Sequence, residues 1–390
     1  MSKIVFFCIY AHGHTNPTIE VVRELTRRGH EVWYYSFDEF REKIEGAGAK
    51  FISCNAFLPP APADLEKKIG RDFVSLIEMT VDTTLALEPV VCPALQEFKP
   101  DCIVSDSICL WGKLFAAKLQ VPLVCSTTTF AFNQYTARLM KRSLKELFLI
   151  ILGMPKIKKK MQQLTEHGYP EDNFINLIQN DNTTNTIVYT SKEFQPLADT
   201  FSDKYSFVGP SVAVKHNTNA AKSRPLVYIS LGTVLNKNSR FYQNCIEALK
   251  NTDMDVVMSV GPQTDIAALG AIPANFVINP HVDQIEVLQT ADVFVTHCGM
   301  NSVNESIYCS VPMVLFPQHS EEGLVAQRTQ QLGAGMMLRN TKPQTIADAV
   351  GQVLRQDTYR QATAAIAATF RQTGGANAAA SAIEKVINNK

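Results

Sequence analysis

Two short runs hold most of the chemistry that this sequence can offer. The first is His12-Gly13-His14, which follows the apolar stretch Ile4–Ala11, and its natural counterpart is Asp106, at the end of another β-branched run. A buried carboxylate bonded to one imidazole nitrogen fixes the tautomer and raises the basicity of the other nitrogen, as a general base requires. Helix capping by His14 and Asp106 accounts for the same pattern equally well. A metal at His12 and His14 is the weaker alternative, because no third ligand accompanies them.

The second run is Thr296-His297-Cys298-Gly299-Met300-Asn301-Ser302, with Ser230-Leu231-Gly232-Thr233 upstream. In each, a glycine turn follows a strand-like run. The longer one then opens a helix, whose free N–H groups and dipole attract an anion. His297 can donate a hydrogen bond or a positive charge, and the Thr233 and Ser302 hydroxyls add donors. One such turn says little; two at neighbouring strand ends point to a diphosphate site. Cys298, inside the loop, reads as a small packing residue and not as a nucleophile.

Positioning these residues takes a particular scaffold. The first half alternates β-branched or aromatic runs with longer amphipathic segments, the pattern of a parallel α/β sheet. Strands are expected at Ile4–Tyr10, Glu31–Ser36, Lys50–Cys54, Cys102–Ser105 and Val121–Ser126. A first helix is expected to be capped by Thr15-Asn16-Pro17 and stopped at Gly29. A second α/β half begins near Arg224, with strands at Leu226–Leu231, Asp255–Val260, Phe276–Asn279, Val293–His297 and Met313–Phe316. Five strands are thus expected in each half. The polar stretch Val214–Arg224 between them reads as a linker. Leu58–Pro100 and Phe130–Tyr169 read as long insertions rich in Phe, Leu and Met. With strand order 3-2-1-4-5, strands one and four meet where the order reverses, and ligands bind at such points. That order brings His14 to Asp106, and the second half repeats the geometry around His297.

Composition removes several classes. The chain has 390 residues, 37 basic against 37 acidic, and is 46% hydrophobic, too balanced for a nucleic-acid binder and too apolar for disorder. Nine scattered cysteines without a C-x-x-C pair suit a reducing cytoplasm. Ile4–Ala11 reads as a buried strand and not a signal peptide, and no apolar run approaches the ~20 residues that span a bilayer. No G-x-G-x-x-G, P-loop or G-x-S-x-G motif is present.

The run His281–Glu322, with its core Phe294–Glu305 and the segment Val311–Pro317, resembles the nucleotide-sugar signature of the UDP-glycosyltransferases. Ala11–Pro17, Ile103–Asp106 and Phe207–Pro210 are similar to the family's other motifs, in the family's order. The chain looks like the bacterial macrolide-glycosyltransferase branch. The resemblance implies an inverting, metal-independent enzyme of GT-B fold, α/β in class, with two facing doubly wound Rossmann-like domains. Residues 1–213 would bind the acceptor, 214–224 link, 225–373 bind the nucleotide sugar, and 374–390 form a helix crossing back to the first domain, its stripe Ala379, Ile383 and Val386 packed there. His14 would deprotonate a hydroxyl of a small lipophilic acceptor, with Asp106 assisting. Gly232, Thr233, His297, Gly299, Asn301 and Ser302 would hold the diphosphate of a UDP-sugar, with His281 and Val282 at the base. Glu305 would hold the ribose, and Glu321 and Glu322 the sugar. No cofactor, nucleic acid or membrane insertion is implied. Two positions depart from the family: His281 stands for a Trp that stacks on uracil, and Glu322 for a Gln, so an acceptor-only group replaces an amide. Glucose is the default sugar. Glu322→Gln is expected to shift the ranking of hexose donors and to change UDP binding little.

Lys141–Lys160 suits a membrane-surface segment serving a lipid acceptor, or a helix over the acceptor pocket with solvated lysines at either side. A GT-B epimerase would need acid and base groups around the sugar ring, and a silent binding protein would not need His14 and Asp106.

Overall fold

The structure is a computed structural model that describes residues 1–58, 73–139, 144–170, 174, 177, 182–213, 223–233 and 236–389. The chain forms two compact units, Met1–Ser211 together with Thr373–Lys390, and Val212–Gln372.

The first unit runs β1 (Lys3–Phe7), α1 (His12–Arg27), β2 (Glu31–Ser36), α2 (Arg41–Gly46), β3 (Lys50–Ser53), α3 (Phe73–Phe98), β4 (Cys102–Asp106), α4 (Leu110–Leu119), β5 (Leu123–Thr127), α5 (Leu144–Glu166), β6 (Thr186–Val188) and β7 (Tyr205–Phe207). The second runs β8 (Leu226–Ser230), α6 (Ser239–Leu249), β9 (Asp255–Ser259), β10 (Phe276–Asn279), α7 (Gln284–Leu288), β11 (Val293–Thr296), α8 (Met300–Tyr308), β12 (Met313–Leu315), α9 (Ser320–Gln331), β13 (Gly335–Met337), α10 (Pro343–Arg355) and α11 (Asp357–Thr373). The last helix, α12 (Gly375–Asn388), returns to the first unit.

Both sheets are parallel and doubly wound, in the orders β3-β2-β1-β4-β5-β6-β7 and β10-β9-β8-β11-β12-β13. They therefore carry seven and six strands where five each were expected. The additions, β6, β7 and β13, are three residues each, too short to show any alternation. Central strands are buried on both faces, as parallel sheets require. On β1, Ile4 and Phe6 join Val22, Leu25, Tyr34 and Ile383 on one side. Val5 and Phe7 join Val81, Trp111, Phe115 and Ile157 on the other.

Most expected strands start or end one to three residues from the observed ones, and the shifts around β1 and α1 bear on the site. β1 ends at Phe7, not Tyr10, and α1 begins at His12, before Thr15-Asn16-Pro17. Ala11, extended at φ −158°, is the N-cap and supplies no side-chain bond, so Pro17 lies inside the helix. The insertions fold as α3 and α5. Ile157, Met161 and Leu164 of α5 share a core with Val81, Leu87 and Val91 of α3, while Phe148, Leu149, Ile151 and Leu152 stay exposed. Residues 141–143 of the basic segment and 214–222 of the linker lie outside the described residues. Among the described residues, no helix is long and apolar enough to cross a membrane.

α12 starts at a turn of two left-handed glycines, Gly374 (φ 91°) and Gly375 (φ 53°), and the Gly375 N–H bonds to the Val208 carbonyl at 2.7 Å. Its Ala379, Ala380 and Ile383 are buried against α1 and the sheet, with Val386 partly so. A polar clasp closes the contact: Glu384 accepts from Arg28 at 2.6 Å and pairs with His30 at 2.9 Å. His30 and Arg28 hold the Glu384 carboxyl below its ordinary range. A depressed carboxylate stabilises the fold above the unfolded value of 4.5 and loses that contribution as the pH falls through the folded one. Glu384→Gln is thus expected to lower the melting temperature by about 1–3 °C at pH 7, the scale of a partly exposed pair. Melting curves should show that gap closing toward pH 4; a gap constant across pH would mean that packing, and not charge, is lost.

Candidate active site

Parallel register brings the two halves of the first unit's chemistry together. Phe7 on β1 lies opposite Ser105 on β4, so the loop after β1 and the end of β4 are adjacent. His14 stands in the first turn of α1 and Asp106 is the last residue of β4. Their Nδ1 and Oδ2 atoms are 2.7 Å apart, with the carboxylate buried and the imidazole 19% exposed. The other oxygen, Oδ1, accepts the Ile108 N–H at 2.9 Å. With both oxygens occupied as acceptors, Nδ1 carries the proton and Nε2 is left with its lone pair. Thr128, just beyond β5, also brings its hydroxyl to 3.1 Å from Nδ1. The sequence reading missed Thr128, because a Thr inside Ser126-Thr-Thr-Thr129 gives no sign of which hydroxyl turns inward.

His12 belongs to a different pair. Its Nε2 meets Glu39 Oε1 at 2.8 Å, and Tyr10 donates its hydroxyl to the same carboxylate. The two histidines therefore point to separate carboxylates. Among the described residues, no three His, Cys, Asp or Glu side chains gather in a metal-holding group.

The second unit repeats the register, with Ser230 on β8 opposite Thr296 on β11. The loops beyond these residues converge on the His297 ring. A Cβ at Gly232 would lie 2.5 Å from its Cε1 and Nε2, and one at Gly299 would lie 2.5 Å from Nε2. The ring fits because both neighbours lack side chains. Asn236, nearly buried, donates to the Gly232 carbonyl at 2.9 Å and fixes that loop. Cys298 takes a left-handed φ of 72°, its N–H bonded to Thr296 Oγ1 at 3.1 Å. Its thiol is fully buried, and that burial pushes its pKa far up, which leaves it unsuited to nucleophilic attack.

Gly299 caps α8 and points its first turn out of the loop. From that helix, Ser302 Oγ and Glu305 Oε2 both accept from Gln284 Nε2, at 3.2 and 2.5 Å. Tyr228 in turn donates to Gln284 Oε1 at 3.1 Å. Gln284 was another residue missed, although it lies three positions after His281 at the opening of the signature. Burial raises the Glu305 carboxyl to about 7, against the pull of Gln284. Gly232 and Gly299 thus flank His297 beyond the strand ends, while Gln284 joins Ser302 and Glu305 along α8. Thr233 is exposed on the first loop and Asn301 lies in the first turn of α8. His281 is exposed and Val282 half-buried just before α7, and Glu321 is exposed in the first turn of α9. Glu322 turns inward: it is 4% exposed and accepts the Gln318 N–H at 2.7 Å.

Comparison with known proteins fits this geometry. Residues 243–380 match the family described as erythromycin biosynthesis protein CIII-like, C-terminal domain. The NDP-glycosyltransferase YjiC of Bacillus licheniformis is 32% identical over 394 residues, covering 98% of this chain and 97% of that protein. The chain belongs to the UDP-glycosyltransferase family, in its macrolide-glycosyltransferase branch. The glycosyltransferase is also 28% identical to the demethyllactenocin mycarosyltransferase of Streptomyces fradiae, across 100% of this chain and 87% of that one. Its structure superposes on the calicheamicin glycosyltransferase CalG4 with a TM-score of 0.81 at 26% identity, covering 100% and 98% of the two chains. These matches establish a glycosyltransferase of natural-product type on a GT-B fold.

Proposed function

We propose that this glycosyltransferase moves a hexose, by default glucose, from a UDP-sugar to a hydroxyl of a small lipophilic acceptor, with inversion and without a metal ion. The observation that carries the reading is the 2.7 Å contact between His14 Nδ1 and the buried Asp106. It leaves Nε2 as the base for the acceptor hydroxyl. The deprotonated oxygen attacks the anomeric carbon, the bond to the β-phosphate oxygen breaks, and UDP leaves. Asp106 stabilises the imidazolium that forms. His297, Ser302, Thr233, Asn301 and the first turn of α8 offset the charge growing on the β-phosphate, as preorganised donors do. His281 and Val282 meet the base, Glu321 meets the sugar, and Glu305 holds the ribose hydroxyls.

Incubation with UDP-glucose and a flavonoid should add one hexose to the acceptor by mass spectrometry, with a β-linkage by NMR from the α-configured donor. Retention of configuration, or transfer that survives intact in His14→Ala, would overturn the reading.

Glu305 adds a pH dependence. It holds two hydroxyls best as a carboxylate, and its pKa is raised to about 7. Affinity for UDP, measured by calorimetry, is therefore expected to rise between pH 6 and 8, and Glu305→Gln should flatten that rise. An unchanged slope in the variant would remove Glu305 from the ribose.

A further inference from the structure

Glu322 is the residue whose surroundings differ most from what a sugar-binding carboxylate needs. Such a group must present at least one free oxygen to the ligand. Here Oε2 accepts the Gln318 N–H at 2.7 Å, and Oε1 lies 2.8 Å from His319 Nε2 and 3.9 Å from His297 Nε2. The side chain is 6% exposed, against 34% for His319 and 14% for His297. One buried carboxylate thus sits between two imidazoles, one in the glycine slot and the other at the N-cap of α9.

Resting on the glycosyltransferase reading above, we infer that Glu322 is a positioning residue for His297, with His319 as its second partner, and that it takes no part in holding the sugar. His297 needs such support. Its Nδ1 is buried and makes no hydrogen bond of good geometry, and burial disfavours its charged form. Glu322 is the strongest influence in the other direction. The carboxylate lies on the Nε2 side of the ring at 3.9 Å, so it draws that edge toward α9, sets the angle of the ring in its slot and favours the charged imidazole that a β-phosphate would meet. His319 shares the charge of Glu322 and closes it off from solvent. A carboxylate at the third position of a helix that reaches back to a preceding N–H also resembles a capping arrangement, which is a structural role without effect on phosphate. The test must separate three roles: positioning, capping and sugar contact.

Glu322→Gln keeps the shape and removes the charge. The measurements are dissociation constants for UDP and for UMP, which lacks the β-phosphate, together with kcat/KM for UDP-glucose and UDP-galactose. Losing that carboxylate disfavours the charged imidazole and lets the ring turn in its slot, so UDP should bind about tenfold more weakly, the scale of losing a partner that orients a ligand-contacting histidine. UMP binding should stay within about twofold, and both sugar donors should lose kcat/KM in equal proportion. His319→Gln removes the imidazole that competes for Glu322 and opposes the charged form of His297, so it should leave UDP affinity unchanged or slightly raised. Three results would overturn the inference: a changed donor ranking with unchanged UDP affinity, which restores the sugar role; equal losses for UDP and UMP with a lowered melting temperature, which leaves only the cap; and no change at all. If the unmodified enzyme binds neither nucleotide, the glycosyltransferase donor site itself is misplaced, and both readings fall together.

Discussion

His14→Ala should lower turnover by about 10²–10⁴-fold, the usual worth of a positioned general base. UDP affinity should survive, because the proposed nucleotide site is built wholly from the second unit. The loss should depend on the acceptor. An aliphatic alcohol needs its proton removed during attack, whereas an acidic phenol at pH 8 is already partly ionised. Equal losses for the two acceptor types would make His14 structural. Asp106→Asn should show a related defect for a different reason. The amide can donate to Nδ1, which favours the tautomer with hydrogen on Nε2 and no lone pair facing the acceptor. A pH–rate profile of both variants on one alcohol would show whether the acid limb belongs to this pair.

Gly299→Ala is the second large effect expected, and it needs no chemistry of its own. Its Cβ would fall 2.5 Å from His297 Nε2, so the ring must leave its slot. Backbone strain contributes nothing, since Gly299 sits at an ordinary φ of −58°. Displacement of a catalytic donor by about 1 Å costs on the order of 10²-fold, and kcat/KM for the donor should drop by that much, with UDP binding weakened in parallel. Gly232→Ala should be worse, because its φ of 75° adds a conformational cost to the same clash. Calorimetric UDP affinity in Gly299→Ala equal to that of the parent protein would show that His297 can move aside without loss, and would remove it from the phosphate site.

Much of this was readable in the sequence because parallel α/β units write themselves in alternating runs. Phe276–Asn279 and Glu31–Ser36 were placed to the residue, and the meeting of His14 with Asp106 followed from strand order alone. What escaped has a common cause. β6, β7 and β13 are strands of three residues, two of them at sheet edges, and three residues carry no period. The start of α1 was misplaced because Ala11 caps it by backbone shape, a device invisible in residue type. Thr128, Gln284, Asn236 and His319 act through which way a polar side chain turns, and that is decided by packing between elements. Glu322 shows the same limit from the other side: a motif marks a position but not whether its carboxylate faces a ligand or its own chain.

The return of α12 has a consequence for how the protein is made. Ile4, Val22 and Leu25, near the start of the chain, share a core with Ala379, Ala380 and Ile383, near its end. A ribosome delivers residues 212–372 in between. The face of the first unit that α12 covers therefore stays open to water until α12 has emerged, even though that unit's sheet is finished long before. Domains usually fold in the order in which they emerge. Here the unit begun first is closed only after the second has been made, so chains truncated ahead of Gly375 should leave the ribosome with that apolar face uncovered, and aggregation of such fragments is the cost of a late helix that serves as a lid.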